Sequence, residues 1–116
     1  MKDRDKINLL DAIPIRSAHI VTEWEDGMAV LVYPRFKRAW MRRFFLFKGM
    51  SPHIRVRLEE HGTMVWNLID GQRKVADIVA LLAGHFRGDE HYAGRVTLYL
   101  LQLQKDGFIR LLARVD

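Results

Sequence analysis

Five histidines, His19, His53, His61, His85 and His91, are the side chains of this chain best suited to metal binding or to proton transfer near neutral pH. Their spacing supports neither. No His-Glu-x-x-His pair occurs, and without any Cys the usual zinc spacings cannot be assembled. The lack of Cys also removes disulfides and thiol chemistry. Glu59-Glu60-His61 reads as the polar start of a helix rather than an acid–base pair. His85 and His91 flank a Gly-containing loop, but a metal site needs a third ligand and a supporting shell, and the sequence offers none. There is no Gly-rich phosphate loop and no Ser in a nucleophile elbow. The expectation is a protein with no catalytic residue, no metal and no cofactor, and not an enzyme acting alone.

The chemistry that remains is charge. Lys and Arg number 19 against 14 Asp and Glu, a formal charge of +5, and the sequence pI is near 9.9. That balance permits an acidic partner: nucleic acid, an anionic membrane or an acidic peptide. Its placement is uneven. Within residues 34–52, Arg35, Lys37, Arg38, Arg42, Arg43 and Lys48 follow one another with no acid between them. Phe36, Ala39, Trp40, Phe44 and Phe47 fall at i, i+3, i+4, i+8 and i+11, the apolar stripe of a helix. Pro34 suits its first turn and Gly49 its exit. Met41 and Phe45 lie off the stripe, on a side shared with Arg38. In one reading the stripe packs inward and the basic face is merely solvated. In the other, Arg38, Met41, Arg42 and Phe45 dock a partner, whether a second copy, an enzyme or a membrane surface.

The elements that must position these residues follow from periodicity. A length of 116 residues suits a single domain, 1–116, with a modest core, and 49% apolar with 28% charged residues reads as globular rather than disordered. Residues 1–12 read as a tail, either disordered or latched by Ile7, Leu9 and Leu10. Met1 to Lys6 is charged with no apolar run behind it, so no signal peptide is expected, nor any membrane span, and the expected location is cytoplasmic. Arg16 to Trp24 and Met28 to Tyr33 are β-prone, joined by Glu25-Asp26-Gly27, and predict an antiparallel hairpin. His53 to Leu58 alternates polar and apolar without a break. That predicts a half-buried strand with Ile54, Val56 and Leu58 inward and Arg55 and Arg57 outward.

Asp70-Gly71 then divides two helical patterns, a stop and restart in which Gly takes the left-handed conformation that ends a helix. The first helix runs from Leu58 to Ile69 and presents Leu58, Gly62, Val65, Trp66 and Ile69. The second, Val75 to Phe86, buries Val75, Ile78, Val79, Leu82 and Phe86. Its N-cap position holds Lys74, a poor cap, with Asp77 in the first turn. The third, Tyr92 to Asp106, buries Val96, Tyr99, Leu100 and Leu103, with Asp89 as N-cap and Gly107 as stop. Phe108 to Val115 reads as a closing strand or wing. The predicted class is α+β: a winged-helix-like domain with an N-terminal three-stranded antiparallel sheet followed by a three-helix bundle.

Val30-Leu31-Val32-Tyr33-Pro34, then Val56-Arg57-Leu58, then Asp70-Gly71-Gln72-Arg73-Lys74-Val75-Ala76-Asp77-Ile78, and finally Leu103 to Ile109, together resemble the PqqD family. Its members include pyrroloquinoline quinone (PQQ) biosynthesis proteins and the precursor-peptide recognition elements of ribosomally made, modified peptides. The resemblance covers most of residues 15–112. It implies a non-catalytic peptide chaperone that grips a precursor's leader and presents it to a radical S-adenosylmethionine (SAM) enzyme. It implies a leader added as a strand to the third strand, His53, Ile54, Arg55, Val56, Arg57 and Leu58. The same leader would lie in the groove beside the third helix, at Arg95, Leu98, Tyr99 and Gln102. Two departures stand out: Lys74, where members often carry Ser or Thr, and the 34–52 insertion, where the quinone-pathway protein has a short turn.

The residues support the same mechanism by another route. If the first two strands pair and His53–Leu58 follows, it is a sheet edge, which either recruits a strand or must be protected. Arg55 and Arg57 fit both, since they deter self-association and would meet acids on an incoming peptide. The rival reading is a winged-helix nucleic-acid binder, supported by the basic charge and the three-helix pattern. Against it, the helix expected to enter a groove carries only Arg95 and Lys105 as bases, so nucleic acid is disfavoured. A membrane or partner adaptor acting through the insertion is the third reading, with a homodimer among its forms.

Overall fold

The computed structural model describes residues 8–34 and 53–113. The chain divides into two compact units: Ala18–Thr63, and Met1–Ser17 together with Met64–Asp116. The expected tail is described only from residue 8. The helix expected in the insertion, with Arg38, Met41, Arg42 and Phe45, falls outside the described residues.

In the first unit, strands β2 (Val21–Glu25), β3 (Met28–Pro34) and β4 (His53–Arg57) form an antiparallel sheet in the order β2-β3-β4. Glu25 pairs directly with Met28, so the hairpin loop is Asp26-Gly27 alone. Both have positive φ, 51° and 80°. That is the geometry of a two-residue turn whose twist matches the strands, and Asp-Gly is its preferred sequence. β3 is central, and Ala29, Val30, Leu31 and Val32 are all buried, so the strand reads as a continuous apolar run. The Thr63 hydroxyl accepts the Ala29 N–H at 3.0 Å, which gives this buried side chain a bonded partner. The first strand starts later than expected. Arg16 belongs to a different strand, and 17–20 form a turn between the two.

The second unit corrects the predicted layout. β1 (Ile13–Arg16) pairs antiparallel with β5 (Ile109–Leu112) as a separate two-stranded sheet, Ile13 opposite Leu112 and Arg16 opposite Ile109. Among the described residues the fold is therefore α+β with two sheets rather than one sheet followed by helices. A short 3-10 turn, Leu9–Asp11, precedes β1, and the Asn8 side chain accepts the Leu10 N–H. The latch at this end is Ala12, which is buried and whose carbonyl accepts the Val75 N–H at 2.9 Å, while Leu10 is exposed.

The described residues hold three α-helices: α1 (Glu60–Leu68), α2 (Val75–Leu81) and α3 (Tyr92–Lys105). The predicted faces of α1 are buried: Leu58, Gly62, Val65, Trp66 and Ile69. α2 is shorter than its apolar pattern. Leu82 is its C-cap, and the chain continues to Gly88 in turns. Phe86 is then only half-buried and stacks on Tyr92 at 5.5 Å. Asp77 makes good the poor cap at Lys74, its carboxylate accepting the Lys74 N–H at 2.9 Å. Asp89 is not the N-cap of α3. His91 holds that position, and Asp89 accepts the His91 N–H from two residues upstream and pairs with Arg95. α3 ends in a Schellman motif. Gly107 has φ 83°, Phe108 N–H bonds Leu103 O, and Gly107 N–H bonds Gln104 O. Tyr99 is half-buried, and Val96, Leu100 and Leu103 are fully so. Among the described residues no helix is long and apolar enough to cross a membrane.

Candidate functional site

β4 lies at one end of the order β2-β3-β4, and among the described residues no strand pairs its other side. Its burial alternates as the sequence predicts, with His53, Arg55 and Arg57 exposed and Ile54 and Val56 half-buried; Leu58 beyond it is buried. The ladder fixes which backbone groups face outward. Leu58 N–H bonds Ala29 O, and Val56 and Ile54 occupy the equivalent positions opposite Leu31 and Tyr33. Bonded and non-bonded pairs alternate in an antiparallel ladder, so Arg55 and Arg57 turn their N–H and C=O groups away from β3.

The register also fixes the two sheet faces. One carries Val21, Glu23 and Glu25 of β2, Val30 and Val32 of β3, and Arg55 and Arg57 of β4. Across this face, Arg55 pairs with Glu23 at 2.6 Å and Arg57 with Glu25 at 3.3 Å. Each pair runs diagonally over the central strand, Arg55–Glu23 across Val32 and Val30 and Arg57–Glu25 across Val30 and Met28. All four side chains are about half exposed. The expected outward arginines are therefore present, but their charge is already matched within the sheet. Strand order was needed to see this, although alternating Glu23/Glu25 and Arg55/Arg57 was a readable signal. The pair Arg55–Glu23 also forms one wall of an open cavity of about 480 Å³, lined besides by His19, Val21, Val32, Tyr33, Pro34 and His53. No residue pattern announced this cavity. The opposite face carries Leu31, Ile54 and Val56.

The helix residues implied by the resemblance, Arg95, Leu98, Tyr99 and Gln102, all lie on α3, in the second unit. Leu98 is 66% exposed, the largest exposure among the buried-type side chains of that helix. Burial pushes the Tyr99 hydroxyl above its ordinary range. Gln102 donates to Asp106 at 3.1 Å, and Arg95 is held by Asp89. β5 contrasts with β4: its Leu111 N–H is taken by the Gln104 side chain at 3.0 Å.

His19 and His53 line the same cavity, and the other three histidines lie elsewhere on the chain. His19 meets Tyr33 edge-on, and His85 meets Phe86. Among the described residues, no three His, Asp or Glu side chains come together as a metal ion needs. In the turn between α1 and α2, Asp70 accepts the N–H groups of Gln72 and Arg73, and Gly71 has φ 79°.

Neither curated proteins nor solved structures give a match to this chain. A family model does. That of coenzyme PQQ synthesis protein D (PqqD) matches residues 50–109. The matched span takes in β4, all three helices and the Asp70–Ile78 turn, and leaves β1, β2 and β3 outside. More than half of the sequence is covered, and on that ground the chain belongs to the PqqD family.

Proposed function

We propose that this chain is a non-catalytic accessory protein that binds a precursor peptide as an added strand along β4 and presents it to a radical SAM modifying enzyme. The observation that carries the reading is the outer side of β4, where Arg55 and Arg57 aim their backbone groups away from β3. Such an edge supplies main-chain hydrogen bonds to an extended peptide, while alternate side chains supply specificity. Membership of the PqqD family supports the same reading and points to PQQ-type biosynthesis as its setting. The nucleic-acid reading loses support because Arg95, one of the two bases on α3, is paired with Asp89.

Titration of a candidate leader peptide, followed by backbone amide spectra, tests the proposal. Shifts and slowed exchange at Arg55 and Arg57 are expected. Shifts confined to the turn between α1 and α2, with none along β4, would overturn it.

A further inference from the structure

We propose, on the reading that β4 takes up a peptide strand, that the strand is an acid–apolar–acid segment and that Glu23 and Glu25 occupy its charge sites until it arrives. The inference comes from the register. Arg55 and Arg57 share one face and have Val32 and Val30 as their direct neighbours on β3, so no acid of that strand sits beside them. Their partners Glu23 and Glu25 lie two strands away on β2 and are reached only diagonally across the sheet. A strand added to the outer side of β4 places its own side chains directly beside Arg55 and Arg57, at the close spacing of cross-strand neighbours. Carboxylates at alternate peptide positions would meet both guanidiniums from there, without spanning a strand. The residue between them points to the opposite face, beside Val56, which is half-buried next to the fully buried Leu31. That position takes an apolar side chain.

The existing pairs do not prevent the exchange. Half-exposed ion pairs contribute little, so release of Glu23 and Glu25 into water costs little. The device filters by charge instead. A basic strand would face two arginines, and a second copy of β4 in antiparallel pairing would set Arg55 and Arg57 against their own equivalents. Like charges directly opposite are destabilising, which favours an acidic peptide over self-pairing.

The test uses short alternating peptides that differ only at every second residue, Ile/Glu, Ile/Gln and Ile/Lys, titrated into the full chain with amide spectra as readout. The Glu peptide is expected to bind tighter than the Gln peptide by roughly two- to fivefold per acid, and the Lys peptide weakest. Added salt shrinks the difference. The double variant Glu23→Gln with Glu25→Gln removes the competitor, so it tightens the Glu peptide by a similar factor and leaves the Gln peptide unchanged. Arg55→Gln with Arg57→Gln keeps Gln-peptide binding and moves the preference towards the Lys peptide. The Gln peptide serves as reference within each variant, so partial loss of folding lowers all affinities together and leaves their ratio readable. Equal affinity of all peptides along β4 would overturn the charge filter and leave strand addition standing. No shift in β4 with any peptide would overturn both.

Discussion

The Arg16 guanidinium lies 4.8 Å from the centroid of the Trp66 ring and donates a hydrogen bond to the Trp66 carbonyl at 2.7 Å. Burial lowers the Arg16 pKa from its ordinary value, partly offset by Asp70, yet an arginine stays charged at any working pH. A charge-assisted hydrogen bond contributes about 1.5–3 kcal/mol, and the ring contact about 0.5–2 kcal/mol. Against them stands Nε, which is buried without a hydrogen-bond partner among the described residues. Arg16→Met removes all three and keeps the apolar stem. The expected cost is about 2 kcal/mol, below the sum of the favourable parts. The urea midpoint reads it, and a midpoint equal to wild type would show that the orphaned Nε cancels the rest.

Trp66 itself is fully buried. Trp66→Ala is expected to cost about 3–5 kcal/mol, the range for truncating a buried aromatic. That is a large share of a small domain's stability, so the variant should lose its cooperative thermal transition or show it far below wild type. A near-native transition would mean that the surroundings collapse onto the gap.

Two glycine substitutions on one helix should have opposite signs. A Cβ at Gly107 meets nothing within 4 Å among the described residues, so the backbone conformation, φ 83°, is what opposes it. Gly107→Ala is therefore expected to destabilise by about 1–2 kcal/mol. Gly94 lies within α3 with ordinary φ and equally open space, so Gly94→Ala is expected to stabilise by about 0.5–1 kcal/mol. Thermal unfolding of both variants checks the contrast. Destabilisation by both would point to contacts at residue 94 rather than to propensity.

Asp70 gives the fold an acid-sensitive turn. Hydrogen bonds from the Arg73 and Gln72 amides hold its carboxyl below the usual range. A depressed pKa contributes stability above the unfolded value of about 3.9, and the contribution is lost as pH falls through the lower folded value. Asn in its place keeps an acceptor for the same two amides but does not titrate. Asp70→Asn should therefore flatten the acid limb of the stability curve and lower the neutral plateau, because a neutral amide forgoes the stability that the ionised carboxylate contributes. Unfolding midpoints measured from neutral pH into the carboxylate range decide it, and parallel curves would sink the assignment.

How far the sequence disclosed this arrangement depended on how local each signal was. The alternation of His53–Leu58 and the faces of α1 and α3 are periodic, and the structure has them as read except at Tyr99, which is only half-buried. Asp26-Gly27 and Gly107 announced their turns because left-handed backbone is specific to few residues. β1 went unseen. It is only four residues long, contains Pro14, and finds its partner at the far end of the sequence. Proline within a short run argues against a strand unless the strand is an edge, and that is known only once pairing is known. α2 was over-extended because apolar periodicity continues through Leu82 and Phe86, whereas the helix has already ended at Leu81. Within the candidate site, the edge strand was legible. The Glu23–Arg55 and Glu25–Arg57 pairs were not, since they depend on which strand lies in the middle.

The sharpest test of the edge uses proline at neighbouring positions. Arg55 N–H faces outward and Val56 N–H faces β3, by the alternation set at Leu58 and Ala29. Proline is tolerated on an edge strand where its missing N–H would have faced solvent, and not where it breaks the ladder. Arg55→Pro should fold, retain the β3–β4 pairing and lose peptide binding, because one main-chain donor to the added strand is gone. Arg55→Gln at the same position loses the charge but keeps the donor, and should still bind. Val56→Pro should instead destabilise by about 3 kcal/mol or more through the lost ladder bond. Amide spectra separate the variants with and without peptide. Equal peptide affinity for Arg55→Pro and Arg55→Gln would mean that no main-chain bond forms at this residue, and the strand-addition geometry would have to be abandoned.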